Sequence, residues 1–371
     1  MIKYFNLKKQ DGHIHNQIFK QIKKIINNDI YLNGEFTNKL EENFKKIYKS
    51  KYAIAVSSGT SALHLSLVAL DVNKNDEVIT VPMTFVATVA AIKYVNAKPV
   101  LVDIDKNNYL INIHEIEKKI TKKTKVILPV NLYGNPVDIP QVRKLAKKYN
   151  LKILVDASQS HGAKINNTFS NTLGDITTFS FYPTKVLGAY GNGGIILTDN
   201  KKLYQKIKLL RNWGNENKKE YQLHAFNYRI DEIQASIVNL KVKKLHQYVK
   251  QRNIIANEYY KRLSKTNIVL PEKNSKKLNS FHIFPILVKN RKKIIDYLKK
   301  KKILVGVHYS KPVHLTAAYK NLNYKPGDFP VSELVAKQEI SLPMYPGLKK
   351  SELNKICNQL IKANNKFNNQ L

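Results

Sequence analysis

LKILVDASQSHGAKINNTFSNTLGDITTFSFYPTKVLGAYGNGGIILTDN, residues 151–200, is the stretch that decides the fold. Residues 151–155 and 176–181 are two mostly apolar runs, and 194–198 has the same look. Strands buried on both faces read as continuous apolar strings rather than as alternations. The first two runs end in polar residues, and in open α/β sheets ligands gather at the carboxyl ends of strands. The stretch therefore delivers Asp156 and Gln159 after one strand, and Ser180 and Lys185 at and after the next. An acid, an amide, a hydroxyl and a lysine brought to one edge propose a site for pyridoxal phosphate.

Outward from this stretch, strand and helix patterns alternate. Residues 52–56, 77–81, 98–102 and 126–130 read as strands, and the patterns at 86–94, 113–119 and 139–149 read as helices. That rhythm indicates an α/β fold with a largely parallel sheet between helices. Upstream, isoleucines at helical spacing mark 13–28, and 36–48 forms a second helix. Downstream, 203–213 is helical, 215–228 is a polar loop, and from Arg229 one long helical pattern leads towards a smaller domain. There, 281–288 alternates as a strand, 291–300 is helical, 308–325 has loop composition, 329–340 reads as a helix, and 351–366 closes the chain as a helix. We expect a large domain over 1–245 and a small one over 246–371. Neither GxGxxG nor GxxxxGK[ST] occurs, so neither a dinucleotide fold nor a P-loop is supported.

Composition narrows the function classes. At 371 residues and 43% hydrophobic content, the chain is long enough for a large core. A single cysteine, Cys357, rules out an internal disulfide and fits a reducing, cytoplasmic setting. The first residues lack the apolar core of a secretory signal, and no run approaches a membrane span. The net charge of +36 invites a nucleic-acid or membrane reading. Nearly all of the excess is lysine spread along helices and loops, while arginine, suited to forked phosphate contacts, is scarce. The expectation is a basic solvated surface, with no nucleic-acid or membrane partner, that attracts a small anionic substrate.

Each candidate residue has a chemical role and a plain structural alternative. Lys185 can form a Schiff base with a cofactor aldehyde and shuttle a proton; a lysine in so basic a chain can also be surface. Asp156 can face a pyridine nitrogen and favour the protonated ring, or simply cap a helix. Gln159 can bond the ring hydroxyl, and Phe85 can stack on the ring or belong to the core. Ser58, Gly59 and Thr60, between a strand and a helix, present N–H groups and hydroxyls to an anion, as Ser180 also can, or form an ordinary serine-rich N-cap. His161 reads as a hydrogen-bonding residue behind the site. No other histidine or cysteine lies at zinc spacing, so no metal is expected.

Taken together, VSSGTSALHLSLVAL (56–70), DEVITVPMTFVAT (76–88), PVNLYG (129–134), VDASQSHGA (155–163), GDITTFSFYPTKVLGAYGNGG (174–194), RNWG (211–214), FNYRIDEIQAS (226–236), VGVHYSKPVH (305–314) and FPVSELVAKQEISLPMYPG (329–347) resemble the DegT/DnrJ/EryC1/StrS sugar aminotransferases. The resemblance covers nearly the whole chain. It implies the fold-type I architecture, a mostly parallel seven-stranded sheet between helices with a smaller C-terminal α/β domain. By motif position it puts the cofactor lysine on Lys185, the acid and glutamine on Asp156 and Gln159, and the stacking aromatic on Phe85. The phosphate group falls on Ser58, Gly59, Thr60 and Ser180. An asparagine that reaches into the neighbouring subunit falls on Asn227, which implies a homodimer with shared active sites. Val155, Asn192 and Ala225 depart from the common pattern, which more often has Glu, Asp and Gly there; Ala225 puts the loop carrying Asn227 in question. Lys185 argues against the dehydratase branch, which uses histidine at that position.

The implied reaction is a ping-pong transamination. L-Glutamate converts pyridoxal phosphate to its pyridoxamine form, and a keto-sugar nucleotide then receives the amino group. The RNWG segment, the Lys219/Tyr221 stretch and VGVHYSKPVH look more like the branch acting at C3 than at C4. The expected substrate is a dTDP-3-keto-6-deoxyhexose, with a UDP-linked 3-keto sugar acid or a 4-keto sugar as alternatives. Tyr182, Arg211, Tyr221, His308, Tyr309 and His314 are candidate substrate contacts, with ordinary loop packing as their alternative. A non-catalytic regulatory or nucleic-acid-binding protein on the same scaffold is the reading of a different class.

Overall fold

The computed structural model describes residues 1–169, 174–215 and 220–368. Strands are β1 (Tyr52–Val56), β2 (Glu77–Thr80), β3 (Lys98–Leu101), β4 (Thr124–Ile127), β5 (Lys152–Asp156), β6 (Lys164–Ile165), β7 (Ile176–Ser180), β8 (Gly194–Thr198), β9 (Lys277–Leu278), β10 (Phe284–Leu287) and β11 (Glu339–Leu342). Seven of them form one sheet in the order β1-β8-β7-β5-β4-β2-β3. Strand β8 runs antiparallel to both its neighbours, and every other described pairing in this sheet is parallel. The carboxyl ends of β1, β2, β4, β5 and β7 therefore share one edge, and reversed β8 begins there.

Around the sheet lie α1 (Leu7–Asp11), α2 (His15–Asn28), α3 (Glu35–Tyr48), α4 (Gly59–Ala69), α5 (Ala87–Tyr94), α6 (Ile113–Ile116), α7 (Ile139–Lys148), α8 (Lys201–Arg211) and α9 (Glu232–Val242). Helix α4 is apolar nearly all round because it is wedged between the sheet and helices α5 and α8. Helices α10 (Leu245–Leu263), α11 (Arg291–Lys300), α12 (Pro330–Gln338) and α13 (Lys350–Asn368) complete the chain. A second apolar core gathers α10, α11 and α13 around the β10–β11 pair, forming the smaller C-terminal α/β part. Ile2 joins that core through a bridge to Ile303, so the start of the chain packs with its end.

Three readings of the sequence are corrected. The pattern after Arg229 is two helices, because the chain turns at Lys243 and Lys244. Just before the turn, fully buried Lys241 pairs with Asp11 at 2.6 Å and donates to the Gly188 carbonyl at 2.5 Å. The helix read over 329–340 stops at Gln338, and Glu339 begins β11, whose partner β10 draws both residues into a ladder. Strand β10 is buried throughout rather than alternating, because it packs inside the second core.

One carboxylate fixes the approach of α3 to the large domain. Buried Glu232 accepts the backbone N–H groups of Gly34 (3.0 Å), Phe36 (2.7 Å) and Thr37 (2.9 Å) and the Thr37 hydroxyl. These are the donors that a helix N-terminus leaves without intrahelical partners. Glu232→Ala is expected to lower the unfolding free energy by about 2–4 kcal/mol, because several buried donors lose a charged acceptor. The check is equilibrium urea unfolding, with a lower midpoint and an unchanged slope.

Candidate active site

A cavity of about 420 Å³ opens at the shared edge of the sheet. Its wall carries Ser58, Gly59, Thr60, Phe85, Asp156, Gln159, Ser180 and Lys185. Of the sugar-side candidates, Tyr182, His308 and Tyr309 also line it. Residues as far apart in sequence as Ser58 and Tyr309 meet because the strands end at the same level and the smaller part of the chain closes over them.

The β1–α4 turn is built by a reciprocal cap. The Ser58 hydroxyl accepts the Ser61 N–H, and the Ser61 hydroxyl accepts the Ser58 N–H, both at 2.9 Å. This cap leaves the N–H groups of Gly59 and Thr60 without intrahelical acceptors, at the positive end of the helix. Gly59 is required by close approach: a Cβ there would lie 2.6 Å from the Ser180 Cβ. The result is a cradle of N–H groups and hydroxyls between α4 and β7.

Asp156 ends β5 and is 5% exposed. The Thr88 hydroxyl donates to one of its oxygens (2.8 Å) and the Ser158 N–H to the other (3.1 Å). Thr88, on α5, is itself bonded at 2.9 Å to Thr84 in the turn before that helix, so the carboxylate is aimed through two linked hydroxyls. Buried Gln159 accepts the Tyr133 N–H at 2.8 Å and donates to the Tyr309 hydroxyl at 3.3 Å. Tyr309 is tilted against Phe85 with ring centroids 5.9 Å apart, and Phe85 keeps 53% of its surface exposed at the mouth.

Burial pushes the Lys185 amine down to about 8, while the Asp156 carboxylate pulls the other way. His161, behind the site, makes no hydrogen bond among the described residues, which corrects the expectation of a hydrogen-bonding role. Its ring packs between Phe179 (5.1 Å) and Phe181 (5.9 Å), and burial, with Lys185 and Arg252 nearby, lowers it to about 3. It is a neutral packing residue.

Four candidates are not brought to this cavity. Arg211 is locked beneath β1, paired with Glu41 at 2.6 Å and donating to the Ala55 carbonyl at 2.9 Å. His314 is buried against Phe329, with its Nε2 on Glu333 at 3.1 Å. Tyr221 is 75% exposed and away from the wall. Asn227 is exposed, and its side-chain oxygen accepts from the Arg229 guanidinium at 3.1 and 2.9 Å. Lys219 lies outside the described residues.

Sequence reasoning missed Thr88, Ser158, Thr184 and His282, all on the wall. Thr88 stood inside the motif that gave Phe85, just after the turn that carries Thr84, its hydrogen-bond partner. His282 carried no local signal. It arrives because the 280–282 segment docks on Gly134, whose φ of +95° and lack of a Cβ let the Ser280 N–H reach its carbonyl at 3.1 Å.

An anion cradle, a half-buried amine with a lowered pKa near a held carboxylate, and an exposed aromatic at the mouth fit a phosphorylated pyridine aldehyde. With the sheet order and its one reversed strand, they define a fold-type I pyridoxal-phosphate enzyme. The chain belongs to the DegT/DnrJ/EryC1/StrS aminotransferase family, whose sequence profile matches residues 13–361, and is a pyridoxal-phosphate-dependent sugar aminotransferase. It is 35% identical to a dTDP-3-amino-3,6-dideoxy-alpha-D-galactopyranose transaminase of Aneurinibacillus thermoaerophilus, over 96% of this chain and 98% of the relative. It superposes on DesV of S. venezuelae, solved in complex with a ketimine intermediate, with a TM-score of 0.95 at 30% identity, covering 97% of this chain and 98% of that one. It also superposes on NtdA of Bacillus subtilis, solved with bound cofactor PMP, with a TM-score of 0.89 at 30% identity, covering 96% and 83%.

Two outcomes test this geometry. Gly59→Ala should weaken cofactor retention roughly tenfold or more, about 1.4 kcal/mol, by wedging α4 from β7; fluorescence titration of the cofactor-free protein measures it. Capture of pyridoxal phosphate by that protein needs the neutral Lys185 amine. Its rate should therefore rise with pH through about 8, rather than through the ordinary lysine range, in stopped-flow absorbance.

Proposed function

We propose that this chain transfers an amino group from L-glutamate to C3 of a nucleotide-linked keto sugar, with a dTDP-3-keto-6-deoxyhexose as acceptor. The observation that carries the reaction class is the half-buried Lys185 amine, lowered by desolvation and facing the Asp156 charge on one cavity wall. The choice of C3 and of dTDP draws on the Aneurinibacillus relative, whose named activity concerns a dTDP-linked 3-amino sugar.

When bound, pyridoxal phosphate supplies an aldehyde for amine exchange and a ring that delocalises the electrons left when a neighbouring carbon loses a proton. Lys185 holds that aldehyde between turnovers. Displaced by the incoming amine, it takes a proton as neutral base and returns one as acid, a dual role that an amine lowered to about 8 can fill near neutral pH. Asp156, fixed by Thr88 and Ser158, would hold the ring nitrogen and favour its protonated form. Gln159, whose amide donates to Tyr309, would also bond the ring hydroxyl, and Phe85 would cover the ring. The N–H groups and hydroxyls of Ser58, Gly59, Thr60 and Ser180 hold the phosphate. Tyr182, His308 and Tyr309 meet the sugar.

The protein acts as a homodimer with shared sites in this reading. Asn227 sits outside its own cavity, exposed and held by Arg229, a placement suited to reaching a second copy. Phe85, Tyr94, Tyr182, Trp213 and Tyr221 keep half or more of their surface exposed, a set of aromatics that a partner can cover.

The test is visible absorbance of the purified holoenzyme. A band that depends on Lys185, bleaches with L-glutamate and returns on adding a dTDP-3-keto-6-deoxyhexose is the expected result, with Lys185→Ala showing neither change. Return of the band with a 4-keto or UDP-linked sugar alone would reassign the acceptor. A band unmoved by glutamate would remove the donor assignment.

A further inference from the structure

Glu339, the first residue of β11, is fully buried yet takes no part in the chemistry above. One of its oxygens accepts the backbone N–H of His308 at 2.7 Å. The other is bonded to the Ser341 hydroxyl, and the same hydroxyl lies 2.8 Å from His308 Nδ1. The His308 ring is stacked on Tyr4, with centroids 5.5 Å apart, and its carbonyl accepts the Tyr133 hydroxyl. This ring lines the cavity, and its Nε2 has no partner among the described residues.

We propose that Glu339 and Ser341 form a proton relay that sets the tautomer of His308, so the cavity wall offers an acceptor when Glu339 is ionised and a donor when it is protonated. An ionised carboxylate only accepts. The Ser341 O–H then donates to Glu339, the Ser341 oxygen accepts from His308 Nδ1–H, and Nε2 is left bare. A protonated Glu339 donates to the Ser341 oxygen. The Ser341 O–H then turns to Nδ1, and the imidazole proton sits on Nε2. The net change is one proton gained at Glu339; the imidazole keeps one proton, and only its position moves.

The surroundings allow both states near neutral pH. Burial pushes Glu339 up to about 8. Among the described residues, the one cation that acts on it is Arg291 of α11, whose guanidinium is committed to the Ala336 carbonyl. Four phenols, from Tyr4, Tyr109, Tyr133 and Tyr309, feel the Glu339 charge. Burial, with Lys185 second, holds His308 down to about 4, so the ring is neutral wherever Glu339 titrates. The consequence for substrate rests on the sugar-site reading: the bare nitrogen suits a sugar hydroxyl, and the N–H suits a keto or carboxylate oxygen. The relay itself does not depend on that reading.

Lys185 titrates in the same range, so activity against pH mixes the two groups. Ring nitrogen shifts separate them. The experiment is NMR of holoenzyme carrying ¹⁵N-histidine, with the His308 signals assigned by their loss in His308→Gln, at about pH 6.5 and about pH 9.5, on either side of the value of about 8 to which burial pushes Glu339. In the wild type, the protonated nitrogen should be Nε2 at the lower pH and Nδ1 at the higher. Glu339→Gln, whose carbonyl oxygen is kept on the His308 N–H so that its NH2 faces and donates to Ser341, should show Nε2–H at both. Ser341→Ala should break the link and abolish the exchange, and it carries the test if the glutamine variant does not fold. The proposal is overturned if the wild type keeps one tautomer throughout, or if the exchange survives unchanged in either variant. No sugar is present, so a wrong substrate assignment leaves this result intact.

Discussion

The contact on which the site depends is the approach of α4 to the end of β7. A side chain at Gly59 would meet Ser180 at 2.6 Å, so only glycine lets the helix start this close to the strand. Antiparallel β8, lying between β1 and β7, sets the distance those two elements must span. The helix terminus then brings its free N–H groups to the same cavity wall as the Ser180 hydroxyl, and the loop after β7 brings Lys185 back over the same edge. The proposed phosphate cradle and the placement of Lys185 thus follow from one steric allowance.

A second constraint is dielectric. Asp156 and Lys185 sit where water is scarce, and the cost of charging the amine there is what makes it a usable base. The carboxylate is kept in place by two neutral donors rather than by a buried cation. The buried ion pair in this region, Asp11 with Lys241, is placed one layer away, where Lys241 grips the Gly188 carbonyl of the lysine-bearing loop. Charge is thereby spent on fixing the loop, and the cavity itself keeps a lysine free to change protonation.

Much of this was legible because strand ends and the residues just after them are contiguous in sequence. Asp156 with Gln159, and Ser180 with Lys185, needed only the positions of two strands. The reversed β8 carried no signal, since a buried strand reads alike in either direction. His282 and Glu339 were invisible because each reaches its place through long-range docking, His282 on Gly134 and Glu339 by pairing of β11 with β10. The break between α9 and α10 was hidden by an apolar pattern that continues across the turn. Arg211 misled because a helix-terminal arginine reads as an anion ligand. Glu41, the residue that occupies it, lies 170 positions away.

The central claim is that Lys185 alone among the chain's many lysines carries the cofactor. Borohydride reduction of the holoenzyme followed by peptide mass mapping tests it most directly. The account predicts a single stable phosphopyridoxyl adduct on the peptide containing Lys185. An adduct on a different lysine, or labelling spread over several surface lysines at similar levels, would contradict it.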